Sequence, residues 1–383
     1  MINIDTIYRL LDPRPFFIGV IISLFCLSFS GWQISEKNIF HDYKRIHRDI
    51  SIDTQFFPTA RQIGALVEEH FASDKIAVVI AGSSVMRGTG QSSTDLWSNY
   101  LQMELGDKYR VLNLALNGGG PSGQGLYMTE YLLRNHKKVL LISDIQIGGN
   151  GITPDNGSFY RYFYFDSYNR GYSDQFVERM NETQLRLQTS DYAGLHEFQI
   201  KSYLNRFLNF DDLWNTIGYR YFFTIWTPLR FENPWAPHRF DSYSEKNCID
   251  NNVQYKINIT AEMAIVRGYT KPGLTSLQSD SVNHSVLTSI SEHIRSHTIL
   301  VLDFQSPFYV DQLSEIERNN YWVNIKDTQD IFKILKIPTF AMPLNLTYDD
   351  FCDRVHLSYT GGRKLATMLA PYVHSKSSEL GYE

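Results

Sequence analysis

An α/β domain built on a parallel sheet is the fold class this sequence predicts, and three observations predict it. Several short runs are apolar without alternation and rich in β-branched residues, as strands buried on both faces are. Stretches of helical length separate the first three of these runs, so the order reads β-α-β-α-β, and such alternation builds parallel sheets. The chain has 383 residues, 43% of them hydrophobic, enough to bury a large core in one big domain with an insertion or in two modest ones.

Taken in order, the first element is Pro15 to Ser35, which carries no charged residue and is long enough to cross a bilayer, for which roughly 20 residues are needed. A cleavable signal peptide is the competing reading, because Ser28 and Ser30 form a small-x-small site before Gly31. The uncleaved anchor is preferred: serine suits such a site less well than alanine, and Trp32 suits a membrane interface. Arg9 and Arg14 precede the segment while Lys37, Lys44, Arg45 and Arg48 follow it, a bias that taken alone keeps the large domain inside. Long domains can translocate regardless of such charges. Residues 36 to 75 read as a stalk, with Ile63, Leu66, Val67 and Phe71 on one face of a helix leading into the domain.

Ile76 to Ala81 is the first strand, ending at Gly82, so that Ser84 stands just past its carboxyl end. Val111 to Leu116 is the second, before Asn117-Gly118-Gly119-Gly120, and Val139 to Ile142 the third, before Ser143-Asp144. Asp95 to Gly106 and Gly123 to Arg134 supply the helices between them, and Ile299 to Leu302 makes a fourth strand. The α/β domain is thus expected over residues 76–150 and 284–383, as a flavodoxin-like three-layer sandwich. Residues 151–283 form an insertion or cap. That insertion is aromatic-rich, with Phe159 to Phe165 and Tyr219 to Trp226; its rings can fill a core of their own or stack on sugar rings.

Ligands of parallel sheets bind beyond the carboxyl ends of the strands, where the Ser84 and Gly118 clusters both fall. A serine after a glycine at such a junction can expose its hydroxyl beside free backbone N–H groups, although Ser83 competes for the role and either residue suits an ordinary loop or helix cap. Asp353 and His356 stand three apart, within reach of each other on one turn, so that the pair could supply a base and the carboxylate that orients it. Gly118-x-Gly120-x-x-Gly123 also matches a dinucleotide fingerprint, with Asp144 near the distance of a ribose-binding acid. Pro121 removes a donor from that loop, however, and the motif follows the second strand rather than the first. His293 and His297 sit four apart without a third metal ligand, and a solvated helix face is the preferred reading.

The net charge of −5, from 36 basic and 41 acidic residues, gives no electrostatic argument for a nucleic-acid partner. Three cysteines are too few for a disulfide framework, yet Cys248 and Cys352 could pair if the domain lies outside the cytoplasm. No metal and no cofactor is called for by this reading.

Gly82-Ser83-Ser84, Asn113 to Gly118 and Asp353-Arg354-Val355-His356-Leu357-Ser358 together resemble the blocks of the SGNH/GDSL hydrolase superfamily, over roughly residues 76 to 150 and 298 to 372. The resemblance implies Ser84 as nucleophile, His356 as general base, Asp353 as its orienting acid, and the Ser84 and Gly118 N–H groups as oxyanion donors. Two blocks depart from the pattern. Serine stands at position 83 where the family usually has aspartate, and the third block, usually Gly-x-Asn-Asp, reads Ser143-Asp144-Ile145-Gln146, leaving Asn150 as a candidate for its oxyanion asparagine. With the N-terminal anchor, the chain is similar to the membrane-anchored branch that includes teichoic-acid D-alanyl transfer and polysaccharide O-acetylation proteins. That likeness implies an ester hydrolase or O-acyltransferase facing the outside of the cell, an acylated glycan or other acyl donor as substrate, and a membrane acyltransferase as a partner. A non-catalytic envelope assembly or glycan-binding protein with the same fold is the alternative.

Overall fold

The computed structural model describes residues 13–35, 44–45, 59–116, 124–146, 259–272, 292–303, 305–334, 336–341 and 345–383, together with Ile200, Leu208, Asn209, Asp212, Leu213 and Cys248. Most of the expected insertion, with its aromatic clusters, lies outside the described residues.

Helix α1, Pro13–Ser35, is apolar almost throughout and exposes Phe16, Phe17, Ile21 and Phe25. Its 23 residues span roughly 34 Å at the helical rise, enough to cross a membrane. Helix α2, Ala60–His70, starts at Thr59, whose hydroxyl accepts the Gln62 N–H while the Gln62 side chain accepts the Thr59 N–H. Ile63, Leu66, Val67 and Phe71 share one face as expected, but that face is wholly buried in the common core and packs toward the sheet. The stretch read as a stalk therefore contributes a helix to the domain itself, because only the core can cover so apolar a stripe.

The sheet follows. Strand β1 is Ile76–Ile80, all five residues buried. A short helix α3, Ser84–Arg87, and helix α4, Trp97–Leu105, lead to strand β2, Tyr109–Asn113. Helix α5, Gln124–Arg134, leads to strand β3, Val139–Gln146. Within the stretch expected as an insertion, α6, Ile259–Gly268, buries Met263 and Val266 in the common core, and beyond that stretch come α7, Glu292–Ser296, and strand β4, Thr298–Asp303. The chain closes with α8, Pro307–Val310, α9, Glu315–Ile334, strand β5, Thr339–Ala341, and α10, Tyr359–Glu379.

All pairings among these strands are parallel, in the order β2-β1-β3-β4-β5. Ala77 pairs with Arg110 on one side and with Val139 on the other, so β1 lies at the point where the chain reverses its direction across the sheet. Such a switch point opens a crevice at the carboxyl ends of β1 and β3. Helix α5 packs on β1 and β3, α9 on β5, and α4 against both β2 and α10. Gly125 lets α5 approach closely: a Cβ there would stand 2.6 Å from the Ala81 Cβ.

Strand β2 begins two residues earlier than the apolar pattern suggests, and Leu114 to Leu116 lie past its end. Their backbone still follows the neighbouring segment, since Leu114 N–H donates to Ile80 O (2.8 Å) and Leu116 N–H to Gly82 O (3.0 Å). The outer edge of β2 is occupied by side chains. Gln102 of α4 donates to Tyr109 O (3.1 Å) and accepts the Val111 N–H (2.9 Å), while His70 donates from Nε2 to Val111 O (3.1 Å). Burial pushes the His70 imidazole below its ordinary pKa, which favours the neutral ring. His297, read as half of a solvated pair, is instead buried against Tyr382, and the His293 side chain lies outside the described ones. The described residues contain no cluster able to hold a metal ion.

At the opposite end of β2 from the crevice, Glu383 accepts the Tyr109 hydroxyl (2.6 Å), the Ser378 hydroxyl (3.0 Å) and a bond from His374 (2.9 Å). The Tyr109 and His374 bonds hold its carboxyl down at about 2. A depressed carboxylate stabilises the fold fully above its unfolded value of 4.5 and loses that contribution as pH falls toward 2. Glu383→Gln should therefore melt below wild type at pH 7, and the two melting curves should converge as the pH approaches 2. Parallel curves across that range would contradict the assignment.

Candidate functional site

At the end of β1 the ladder continues for one residue, Ala81 N–H donating to Ile142 O (2.8 Å), and then turns sharply at Gly82, whose φ of +114° lies where only glycine is unstrained. Ser83 follows as the N-cap of α3, its Oγ accepting the Val85 N–H (3.2 Å). Ser84 is the first residue of that helix, so its own N–H has no intrahelical acceptor. The helix is fixed from outside through Met86 O, which accepts the Trp97 indole N–H (2.6 Å) and the Asn113 side-chain amide (2.9 Å). Asn113 thus holds the helix that carries Ser84 from the neighbouring strand.

The second half of the site is a tight loop entered through a short turn at Tyr348–Asp350. Phe351 and Leu357 face each other in an antiparallel bridge, and Cys352 N–H donates to His356 O (2.7 Å), closing the loop. Inside it, Asp353 Oδ1 accepts the N–H groups of Val355 (2.9 Å) and His356 (2.8 Å), and Oδ2 lies 2.6 Å from His356 Nδ1. His356 Nε2 lies 2.7 Å from Ser84 Oγ, across 272 positions of sequence. Ser358 then caps α10, and Gly361 is required there because a Cβ would stand 2.1 Å from Asp350 O.

The structure brings Ser84, His356 and Asp353 into one hydrogen-bonded line, partly exposed at the switch point. A carboxylate against Nδ1 needs the proton on that nitrogen, which leaves Nε2 free to accept the Ser84 hydroxyl proton. Burial pushes the Asp353 carboxyl up, but the bond to the His356 ring, that ring's charge and the two backbone N–H groups outweigh it and hold the group below its ordinary value. Asp353 is therefore ionised at neutral pH, as the arrangement requires. The other two expected site residues, Gly118 and Asn150, and the loop of the dinucleotide-like motif, lie outside the described residues.

Several residues hold the two halves together, and apart from the cysteine pair no sequence pattern marks them. Gln91 accepts the Trp97 N–H at Oε1 (2.9 Å) and reaches Leu357 O (3.2 Å) and Ser358 O (3.3 Å) from Nε2, tying the loop after α3 to the loop of His356. Buried Arg45 binds Gly88 O and, at 2.5 Å, Gln91 O. Cys248 and Cys352 form a disulfide, and the Cys248 N–H donates to Gly90 O (3.0 Å). Arg354 turns away from the site to Glu262 of α6 (2.7 Å) and to Gln305. Each of these contacts joins distant segments, so no local pattern announces it. Asp144, read as a possible ribose acid, instead accepts bonds from Ser83.

Comparison with known proteins finds no match among family models, curated proteins or solved structures.

Proposed function

We propose that this chain is a membrane-tethered serine hydrolase or O-acyltransferase of the SGNH type that works on an acyl ester of a cell-envelope glycan through an acyl-enzyme. The observation that carries the reading is the line Asp353–His356–Ser84 at the carboxyl ends of the strands, with 2.6 and 2.7 Å between successive partners. The finer fold reading belongs with it. Right-handed crossovers that run outward from β1 to β2 and back across to β3 place α4 and α5 on opposite faces, which gives a flavodoxin-like three-layer sandwich.

Ser84 Oγ attacks the acyl carbonyl as His356 Nε2 takes its proton. The developing oxyanion is stabilised by the Ser84 N–H and, in the resemblance, by that of Gly118, each donor contributing roughly 3 kcal/mol. The intermediate expels the alcohol, which takes the proton back from His356, and leaves an acyl-Ser84 ester. Water or a sugar hydroxyl, deprotonated by the same imidazole, then attacks that ester; hydrolysis and transfer differ only in this acceptor. The disulfide supports an extracytoplasmic site, since such bonds persist in oxidising compartments. The glycan substrate and a membrane acyltransferase partner rest on the resemblance.

A serine-directed fluorophosphonate applied to the full chain in detergent tests the reading. Wild type should be labelled and Ser84→Ala should not. A folded wild type that takes no label would favour the non-catalytic envelope protein instead.

A further inference from the structure

Both departures from the hydrolase blocks meet at one place. Position 83 holds serine where an aspartate is usual, yet a carboxylate lies beside it, supplied by the neighbouring strand. Asp144 of β3 is almost fully buried; its Oδ1 accepts the Ser83 N–H (2.8 Å) and its Oδ2 accepts the Ser83 hydroxyl proton. Ser83 Oγ in turn accepts the Val85 N–H. The carboxylate also packs against the turn itself: a Cβ on Gly82 would stand 2.1 Å from Asp144 Oδ1.

We infer that Asp144 is the positioning residue of the nucleophile turn, the carboxylate of the first block transposed onto β3. By taking both protons of Ser83 it fixes that residue's backbone and side chain together. The cap so fixed starts α3 and sets the direction of the Ser84 side chain. It also separates the two adjacent serines. The single hydroxyl proton of Ser83 is committed to Asp144, so only Ser84 has a proton to give to His356. A misplacement of about 1 Å at a nucleophile can cost on the order of 100-fold in rate, which makes such a clamp consequential. The inference rests on the reading of Ser84 as nucleophile.

A reciprocal exchange tests it in the full chain, comparing Asp144→Ala, Ser83→Asp and the double variant Ser83→Asp/Asp144→Ser. Ser83→Asp alone sets two carboxylates against each other, whereas the double variant restores one carboxylate and one hydroxyl with their strands exchanged. Fluorophosphonate labelling of Ser84 should slow by about 100-fold in Asp144→Ala and in Ser83→Asp, and return to within about 10-fold of wild type in the double variant. Amide exchange of the 82–88 segment should accelerate by about 10-fold in Asp144→Ala and be protected again in the double variant. Wild-type labelling rates in Asp144→Ala, or a double variant that melts like wild type yet labels no faster than the singles, would overturn the inference. An unlabelled wild type would overturn the nucleophile reading instead, and unchanged exchange of 82–88 in Asp144→Ala would then refute the clamp on its own.

Discussion

Asp353→Asn should slow the reaction of Ser84 with a fluorophosphonate by 10³- to 10⁴-fold, on the order seen when the acid of a serine triad is neutralised without loss of shape. Asp353 accepts three N–H groups, two from the backbone and one from the imidazole. Asparagine can keep its oxygen on the Val355 and His356 N–H groups, which holds the loop. Its amide nitrogen then faces Nδ1 and can only donate, so the ring proton moves to Nε2, where the imidazole can no longer take the proton of Ser84. The fold should survive, with melting at neutral pH close to wild type apart from the lost charge. That charge contributes fully above the ordinary carboxylate value of 3.8, and the contribution is lost as pH falls from there through the lower folded value. A variant labelled within about 10-fold of wild type would mean that Asp353 does not set the tautomer.

Opening the Cys248–Cys352 bond should have the largest effect on stability. It joins residues 104 apart in sequence, and closing a loop of that size restricts the unfolded chain strongly. Cys248→Ser/Cys352→Ser, or reduction of wild type, should cost about 2–5 kcal/mol and lower the melting temperature by roughly 5–15 °C. Activity should fall below that melting point as well. Cys352 precedes Asp353, its N–H closes the loop on His356 O, and Gly90 leaves room for its sulfur, with a Cβ there only 2.5 Å away from it. Thiol titration of the denatured chain should find one free group, Cys26, before reduction and three after. Identical melting under oxidising and reducing conditions would count against a structural role for the bond.

The parts of this molecule that could be read from sequence are those whose cause is local. Ile76 to Ile80 announces a strand because both of its faces are buried, and Asp353 and His356 announce a pair because one turn brings them together. Strand β5 went unforeseen because three residues, Thr339 to Ala341, are too few to carry a period. Helix α2 was legible as a helix but not as part of the core, since periodicity shows that a face is apolar and not what covers it. The approach of His356 to Ser84 across 272 positions followed only from the order of the blocks, and Gln91, Arg45 and Asp144 from nothing local at all.

The side chains along β2 decide something about the molecule's company. An open sheet ends in a row of unpaired donors and acceptors that invites a strand from another chain, and proteins in which that row is left bare are prone to aggregate. At β2 the amide of Gln102 offers one acceptor and one donor, and the His70 ring a second donor, to the groups that a sixth strand would otherwise satisfy. Among the described residues, two side chains from two helices thus take the place of a sixth strand and close this border to recruitment at Tyr109 and Val111.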